Sequence, residues 1–193
     1  MSLLQFSEPK GTTVTMNTTH GSISLMFFPD EAPKCTENFI THAKNGYYNG
    51  VTFHRVIKGF MIQGGDPEGT GMGGESIWGE GIADEYSDKL FHFKGALCMA
   101  KSSLPCSIGS QFYIVEGTEI SAMSLKRISD SFGAEVAEKY AEVGGYPPLD
   151  QNYTVFGQVY AGLDVIGKIS SVETDDNDMP LEPVVILSME VND

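Results

Sequence analysis

Short segments of alternating apolar and polar residues recur along this chain, and they restrict its fold more than any other feature. Residues 13–16 and 22–27 alternate in this way on either side of a turn-forming run at 17–21. A period of two places apolar side chains on one face of a β-strand, so the pair predicts a β-hairpin. Further strands are predicted at 51–56, 60–63, 96–100, 111–115, 154–160 and 184–189.

Three other segments repeat apolar residues at helical spacing. One begins at Pro33, which suits the first turn of a helix, and stops at Asn45-Gly46. A second covers 163–169. The third, 129–143, places Phe132, Val136 and Tyr140 on one face. Many short strands with few helices predict a closed or sandwiched β-structure capped by helices.

Composition limits the number of domains and the classes of partner. A chain of 193 residues that is 41% hydrophobic suits a single domain, residues 1–193, with one substantial core. Its formal net charge of −14 disfavours nucleic acid and anionic membrane surfaces as partners. The three cysteines do not form a disulfide framework. Residues 1–6 lack a signal-peptide pattern, and no apolar run reaches about 20 residues. We expect a cytoplasmic monomer.

A phosphate-binding loop is one interpretation of the glycine-rich segment 64–81. Such a loop needs backbone N–H groups at a helix N-terminus and usually a lysine. This one carries acidic residues and no lysine, so its glycines are better explained by tight turns. A segment so poor in large apolar side chains is expected to lie over another part of the molecule.

Metal binding and hydrolysis are two further alternatives that the sequence does not favour. Cys35 and His42 lie on one predicted helix, but a buried cysteine and a surface histidine are the simpler interpretation. Ser110 lacks the Gly-x-Ser-x-Gly pattern of a nucleophile elbow.

Arg55 is a single arginine among apolar residues. Alternation places it on the same strand face as Phe53 and Ile57, and places Met61 and Gln63 together on the next strand. An ordinary strand pair whose arginine reaches solvent would show the same spacing, so spacing alone does not assign a function.

The run Phe53–Asp66, FHRVIKGFMIQGGD, closely resembles the signature of the cyclophilin-type peptidyl-prolyl cis-trans isomerases. Further segments match in the same order, and the resemblance extends over residues 13–191. These segments are the glycine loop at 71–80, the strand pair 97–100 and 109–114, and residues 149–150 followed by 155–159.

The resemblance implies a mainly β fold, a closed eight-stranded antiparallel β-barrel capped by two helices, with a substrate groove on the outer face. It implies catalysis of rotation about Xaa-Pro bonds in peptides and in unfolded or folded client proteins, with no cofactor and no metal. Arg55 would be the catalytic residue. The implied substrate-binding residues are His54, Phe60, Met61, Gln63, Gly71, Ala100, Lys101, Ser102, Gln111, Tyr113, Leu149 and Tyr153.

The same resemblance implies that each group of these residues contacts a different part of the substrate. Phe60, Met61, Tyr113 and Leu149 would hold the proline ring. Gln63 and Gln111 would position the substrate backbone, and residues 100–102 would line the residue that precedes proline. Gly71 would border the groove.

Several groove positions depart from the best-known eukaryotic members of the family. Pro148 stands where a tryptophan is usual, Tyr153 where a histidine is usual, Tyr113 for phenylalanine and Lys101 for asparagine. The tryptophan would supply a donor and a large contact face, so its absence argues against high-affinity cyclosporin binding.

An insertion at about 118–147 carries the third predicted helix. The preferred interpretation is a surface helix packed on the barrel through Phe132, Val136 and Tyr140. The alternative is a lid or partner-docking element, because the insertion starts and ends near Tyr113 and Leu149.

Three functions remain open at this point. The first is an isomerase that assists protein folding, which the presence of Arg55 favours. The second is a module that binds proline-containing segments with little turnover. The third is a structural subunit docked through the inserted helix, which would require an exposed apolar stripe there.

Overall fold

The computed structural model describes residues 3–193, so part of the N-terminal segment used to argue against a signal peptide lies outside the described residues. Its strands are β1 (Thr13–Thr18), β2 (Gly21–Phe27), β3 (Arg55–Ile57), β4 (Met61–Gly64), β5 (Ala96–Met99), β6 (Phe112–Val115), β7 (Val155–Ala161) and β8 (Ile186–Asn192). Its helices are α1 (Pro33–Lys44), α2 (Ala122–Phe132), α3 (Ala134–Val143) and α4 (Leu163–Ser170), with short 3-10 turns at Leu4–Phe6 and Pro147–Leu149.

The strands form one eight-stranded sheet in the order β3-β4-β6-β5-β7-β2-β1-β8, and every pairing is antiparallel. The predicted eight-stranded antiparallel fold is confirmed. The sheet curls until its two edges meet, but β3 and β8 themselves do not pair. The edges are joined by residues 50–53 and 184–186, through a Thr52–Val185 bridge and the bonds Phe53 N–H to Val184 O and Ile186 N–H to Val51 O.

The inner face of the curled sheet holds the main core, and α1 and α4 close it as the two predicted capping helices. Phe39 of α1 is fully buried against the rings of Phe27, Tyr48, Phe112 and Phe156. Removing such a ring costs about 3–5 kcal/mol, so this aromatic cluster fixes α1 on the sheet.

The N-terminus of α1 is capped from a distant loop. Pro33 occupies the first turn, as predicted, and the Glu85 carboxylate accepts hydrogen bonds from the backbone N–H groups of Lys34 and Cys35 at 3.1 and 2.9 Å. An acidic side chain at a helix N-terminus also interacts favourably with the helix dipole.

The outer face carries a second, smaller apolar cluster. Its buried members come from β2, β4, β5, β6 and β7 and from the adjoining loops. They are Met26, Phe28, Met61, Leu90, Ala96, Cys98, Tyr113, Val115 and Val155.

The insertion differs from the sequence prediction, which placed one helix over 129–143. The structure has two helices, and the prediction is wrong because Gly133 interrupts them with φ 96° and ψ 161°. This conformation is outside the helical region, and it is accessible chiefly to glycine. Ser121 caps the unpredicted α2 by accepting a hydrogen bond from Ser124 N–H.

A third apolar cluster attaches the insertion to the barrel. Val136 and Tyr140 are buried there against Phe91 and Phe93, whereas Phe132 remains 38% exposed. The two ends of the insertion meet at a Thr118–Gly145 bridge.

No helix among residues 3–193 combines the length and the apolar character needed to span a bilayer. All three cysteines are free, with Cys35 and Cys98 buried and Cys106 exposed.

Substituting Gly133 by alanine tests the helix break. A Cβ at Gly133 or at Gly167 would meet no atom within 4 Å, but only Gly133 has a positive φ. We expect Gly133→Ala to lower the free energy of unfolding by about 1–3 kcal/mol, and Gly167→Ala, inside α4, to raise it by about 0.5–1 kcal/mol. Urea unfolding of both variants measures this. Changes of the same sign would contradict it.

Candidate active site

A cavity of about 180 Å³ opens on the outer face of the sheet beside the second apolar cluster. Residues of β3, β4 and β6 and the turn before β4 form part of its wall. Residues after β5, the last residue of the 3-10 turn at Pro147–Leu149 and a residue that follows this turn complete it. The lining residues are Arg55, Phe60, Met61, Gln63, Ala100, Lys101, Tyr113, Leu149 and Tyr153.

Strand register brings the central residues of this cavity together. Arg55 pairs with Gln63 across β3 and β4, and Gln63 pairs with Tyr113 across β4 and β6. Residues directly opposite one another in an antiparallel sheet project from the same face. Arg55, Gln63 and Tyr113 therefore form one row across three strands.

A second depression of about 310 Å³ adjoins the first and shares Gln63, Ala100 and Lys101 with it. The glycine loop forms its far wall. Its remaining lining residues are Gly71, Met72, Gly73, Gly74, Ser102, Ser107, Gly109 and Gln111.

Every residue that the sequence assigned to the site lines one of these two depressions, with the exception of His54. His54 is only 6% exposed, and neither ring nitrogen has a hydrogen-bond partner among the described residues. Burial lowers the pKa of His54, and the charge of Arg55 acts in the same direction. The imidazole lies against Gly71, where an added Cβ would approach Nε2 to 3.3 Å.

Arg55 is the first residue of β3, and its side chain is 45% exposed. Its Nε lies 3.6 Å from a carboxylate oxygen of Asp178, whose backbone carbonyl accepts a hydrogen bond from Val56 N–H. Sequence reasoning missed Asp178, because it lies in the loop before β8, far from Arg55 along the chain.

Gln63 and Gln111 connect the cavity to the glycine loop. The Gln63 amide donates to Gln111 Oε1 at 3.0 Å, and Gln111 Nε2 donates to the carbonyls of Gly71 and Gly73 at 2.9 and 2.8 Å. Both amides are thereby held in fixed positions along the groove.

Lys101 is a paired charge. Its Nζ donates to Asp84 at 2.8 Å and to the Tyr86 hydroxyl at 2.9 Å, and it lies 5.1 Å from the centre of the Tyr153 ring. Burial lowers the pKa of Lys101, but the contacts with Asp84 and Tyr86 outweigh it and raise the pKa above its ordinary value. Sequence reasoning did not identify Asp84 or Tyr86.

Asp66 holds the glycine loop in place, which the sequence interpretation did not foresee. The side chain is fully buried, and it accepts hydrogen bonds from the backbone N–H groups of Glu68, Thr70, Gly71 and Gly73. The Thr70 hydroxyl donates to it as well. The loop therefore winds around one carboxylate, as segments with little apolar content need a polar anchor.

The alternatives considered from the sequence find little support at their own residues. The Ser110 hydroxyl is buried, donates to Gly65 O at 2.6 Å and is near Tyr47 rather than a histidine. His42 was expected at the surface, and this is wrong: it is 6% exposed and hydrogen-bonded to the Glu75 carbonyl. Residues 3–193 contain no group of three or more His, Cys, Asp or Glu side chains placed to hold a metal ion.

Comparison with protein families gives one match that spans almost the whole chain. The model described as "Cyclophilin type peptidyl-prolyl cis-trans isomerase/CLD" matches residues 13–191.

Similar proteins occur in several bacteria. The chain is 50% identical over 177 residues to a "Putative peptidyl-prolyl cis-trans isomerase" of Staphylococcus saprophyticus, covering 91% of this chain and 89% of the relative. A protein of the same name in Staphylococcus aureus is 48% identical over 181 residues, covering 93% and 91%. A "Putative bifunctional phosphatase/peptidyl-prolyl cis-trans isomerase" of Streptococcus pyogenes is 46% identical over 192 residues, and the chain spans 41% of its length.

Solved structures agree with these matches. A crystal structure of a cyclophilin type peptidyl-prolyl cis-trans isomerase of Cryptosporidium parvum superposes with a TM-score of 0.77 at 29% identity, covering 94% of this chain and 98% of that one. The same protein crystallised in the presence of the dipeptide Ala-Pro gives the same TM-score, at 30% identity, with coverage of 94% and 99%.

Acid unfolding tests the anchoring role of Asp66. Burial raises the pKa of Asp66, but its bonds with Glu68, Gly73, Gly71 and Thr70 outweigh burial and hold the pKa below the ordinary value. A carboxyl with a depressed folded-state pKa stabilises the fold above its unfolded pKa of about 3.9, and this stabilisation is lost as the pH falls through the folded pKa. We expect Asp66→Asn to lower the free energy of unfolding by about 2–3 kcal/mol at pH 7, and by less as the pH falls below 4.

Urea unfolding between pH 3 and pH 7 gives this difference directly. Asp176→Asn is the control, because Asp176 is exposed and no side-chain hydrogen bond of it is found in the described part of the chain. A difference between Asp66→Asn and wild type that stays constant with pH would show that the Asp66 charge does not stabilise the loop.

Proposed function

We propose that this chain, which belongs to the cyclophilin-type peptidyl-prolyl cis-trans isomerase family, catalyses rotation about Xaa-Pro bonds in the groove between Arg55 and Gln111. The observation that carries this proposal is that Arg55 lines the same cavity as the apolar side chains of Phe60, Met61 and Leu149. The reaction requires a hydrogen-bond donor for the twisted amide and an apolar surface that holds the proline ring, and these residues can supply both.

The reaction needs no nucleophile, because no covalent bond is broken. Resonance in the amide opposes rotation with a barrier of about 18–20 kcal/mol, and uncatalysed exchange takes tens to hundreds of seconds. At the twisted transition state the amide resonance is lost and the proline nitrogen regains its lone pair. A hydrogen-bond donor that reaches the twisted amide stabilises it more than the planar ground state, and so accelerates rotation.

Arg55 can supply that donor. Within residues 3–193 its ion pair with Asp178 involves Nε, which leaves the terminal NH₂ groups as donors. Arginine suits this role better than lysine, because its guanidinium is planar, directional and always charged.

The remaining groove residues would hold the two sides of the bond. The proline ring would sit against Phe60, Met61, Tyr113 and Leu149. Gln63 and Gln111 would bond to the backbone, and Ala100, Lys101 and Ser102 would contact the residue before proline, with Gly71 at the edge and Tyr153 beside the ring. Holding the proline ring in place while the other side of the bond turns lowers the activation barrier, because the groups are already oriented for rotation.

Proline-containing peptides are the substrate class that this groove supports. The family itself is defined by peptidyl-prolyl isomerisation, and the Cryptosporidium parvum relative was crystallised in the presence of Ala-Pro. Client proteins, unfolded or folded, would present the same dipeptide in exposed loops. The monomeric state and the cytoplasmic location predicted from the sequence stay predictions.

A binding module with little turnover would need the apolar side chains of the cavity but no donor beside them. The presence of Arg55 at the cavity therefore favours the enzyme. Pro148, at the position of the usual tryptophan, is exposed and contributes to neither depression, which supports weak binding of cyclosporin.

Substitution of Arg55 tests the catalytic assignment. We expect Arg55→Ala to lower kcat/KM for an Ala-Pro peptide by about 10²- to 10³-fold, chiefly through kcat, because the donor acts on the transition state. Arg55→Lys should recover only part of this loss. A protease-coupled isomerisation assay measures both variants, and thermal unfolding checks that each is folded.

Lys58→Ala is the matched control, because it removes an exposed cation from the same hairpin outside the groove. Full activity of Arg55→Ala would show that Arg55 is not the catalytic residue. A wild-type protein that fails to accelerate isomerisation would refute the enzymatic function itself.

A further inference from the structure

A chain of buried hydrogen bonds runs from the proline cavity to the inserted helix α3. The Tyr113 hydroxyl lies 2.9 Å from His92 Nε2, and His92 Nδ1 lies 2.9 Å from Asp150 Oδ1. The Tyr140 hydroxyl donates to Asp150 Oδ2 at 2.7 Å. His92 and Tyr140 are fully buried, and Tyr113 and Asp150 are 5% and 7% exposed.

The partners fix the direction of each bond. Burial raises the pKa of Tyr113 and of Tyr140 well above the ordinary value, so both phenols keep a proton that they can donate. Asp150 accepts from Tyr140, from the His92 ring and from the His92 backbone N–H at 2.7 Å. Since the Asp150 carboxylate can only accept, His92 Nδ1 carries a proton, and the neutral imidazole then accepts from the Tyr113 hydroxyl at Nε2. Each polar side-chain group in this series of hydrogen bonds therefore has a partner.

The surrounding backbone leaves this chain little freedom to rearrange. Phe93 forms a bridge with Gly145, and Tyr146 N–H donates to the His92 carbonyl at 2.8 Å. A Cβ at Gly145 would lie 2.3 Å from that carbonyl, so only glycine permits the approach. The segment at the end of the insertion is thus packed directly on the loop before β5 that carries His92.

Tyr113 forms part of the cavity wall that receives the proline ring under the proposed function, and a phenol can tilt about its side-chain bonds. Its hydroxyl is bonded away from the cavity, to His92, while its ring faces Tyr153 at 6.1 Å between centres. A buried hydrogen bond at the far end of the ring restricts this tilt and so defines the shape of the cavity.

We propose that Tyr140 of the insertion is a positioning residue, which acts through Asp150 and His92 to hold Tyr113 in the place that fits a proline ring. The inference rests on the proposed function, and it makes the insertion a support of the substrate cavity. The sequence interpretation of the insertion as a surface helix placed Tyr140 in packing alone.

The expected kinetic signature differs from that of Arg55. The Tyr113 ring contacts proline in the ground state and in the transition state alike, so a displaced ring weakens both equally. Loss of uniform binding raises KM and leaves kcat unchanged.

A double-mutant cycle tests the proposal. We expect Tyr140→Phe, which keeps the ring and removes only the hydroxyl, to raise KM for an Ala-Pro peptide about fivefold with kcat within a factor of two. Tyr113→Phe should raise KM similarly. Because Tyr140 acts through the Tyr113 hydroxyl, the double variant should match Tyr113→Phe alone. Assays well below each variant's melting temperature, corrected for the folded fraction, separate this from lost stability.

Tyr160→Phe is the matched control. Tyr160 is 44% exposed on β7, and its hydroxyl lies outside the buried chain. An unchanged KM in folded Tyr140→Phe would overturn the proposal. So would KM increases that multiply in the double variant, since Tyr140 would then act by another route, such as Leu149, the residue before Asp150. An inactive wild type, or a fully active Arg55→Ala, would instead refute the proposed function.

A measurement on the wild-type protein gives a second test that does not depend on the variants folding. Nitrogen-15 chemical shifts of His92 should show a protonated Nδ1 and an acceptor Nε2. Addition of an Ala-Pro peptide should shift the Nε2 resonance, because the proline ring of the peptide contacts Tyr113, which is hydrogen-bonded to Nε2. Protonation of His92 on Nε2 would overturn the proposal. So would an Nε2 chemical shift that does not change at a saturating concentration of peptide.

Discussion

The antiparallel register of β3, β4 and β6 determines both the core of this protein and its groove. Arg55 opposite Gln63 and Gln63 opposite Tyr113 place one row of side chains outward, while Val56, Ile62 and Ile114 between them point inward. A slip of one residue in either pairing would exchange the two faces. It would put a guanidinium into the aromatic core around Phe39 and leave the groove without its donor.

Parts of the molecule with little apolar content depend on buried polar groups for their position. The glycine loop winds around the Asp66 carboxylate, and Gln111 fixes its far side by bonding to the carbonyls of Gly71 and Gly73. The insertion is held both by apolar packing and by a buried hydrogen bond, because Val136 is buried in an apolar cluster and the Tyr140 hydroxyl donates to Asp150. The glycine loop lines one depression of the groove, and Tyr140 connects through Asp150 and His92 to Tyr113 in the other, so we expect both anchors to influence the groove.

Local patterns predicted the elements that local interactions determine. The hairpin of β1 and β2, the start of α1 at Pro33 and helix α4 could all be predicted from alternation, spacing and breakers. The break at Gly133 could not, because a single glycine within a periodic segment is compatible with a continuous helix until tertiary packing selects a positive φ. A strand was predicted over 51–56, but within it residues 51–54 pair only through the isolated Thr52–Val185 bridge and its flanking hydrogen bonds, because they join the two sheet edges.

The roles of the candidate-site residues could not be predicted from local patterns in the sequence. The spacing of Arg55, Met61 and Gln63 was compatible with an ordinary strand pair, and only the resemblance to a family gave these residues roles. Asp66, Asp178 and His92 were not foreseen, because each acts through partners brought near by the fold, and a lone acidic residue or histidine has no local signature. Their signals in the sequence would be recognisable only once the strand register is known.

We propose that substrate binds on the outer face of the sheet, in the row set by this register, and not within the curled sheet. Methyl-labelled methionine reports on both faces, since Met61 lines the outer cavity while Met16 and Met99 lie in the main core. Titration with an Ala-Pro peptide should shift the Met61 methyl resonance in the NMR spectrum and leave those of Met16 and Met99 in place. A shift confined to Met16 and Met99, with Met61 unchanged, would contradict the claim.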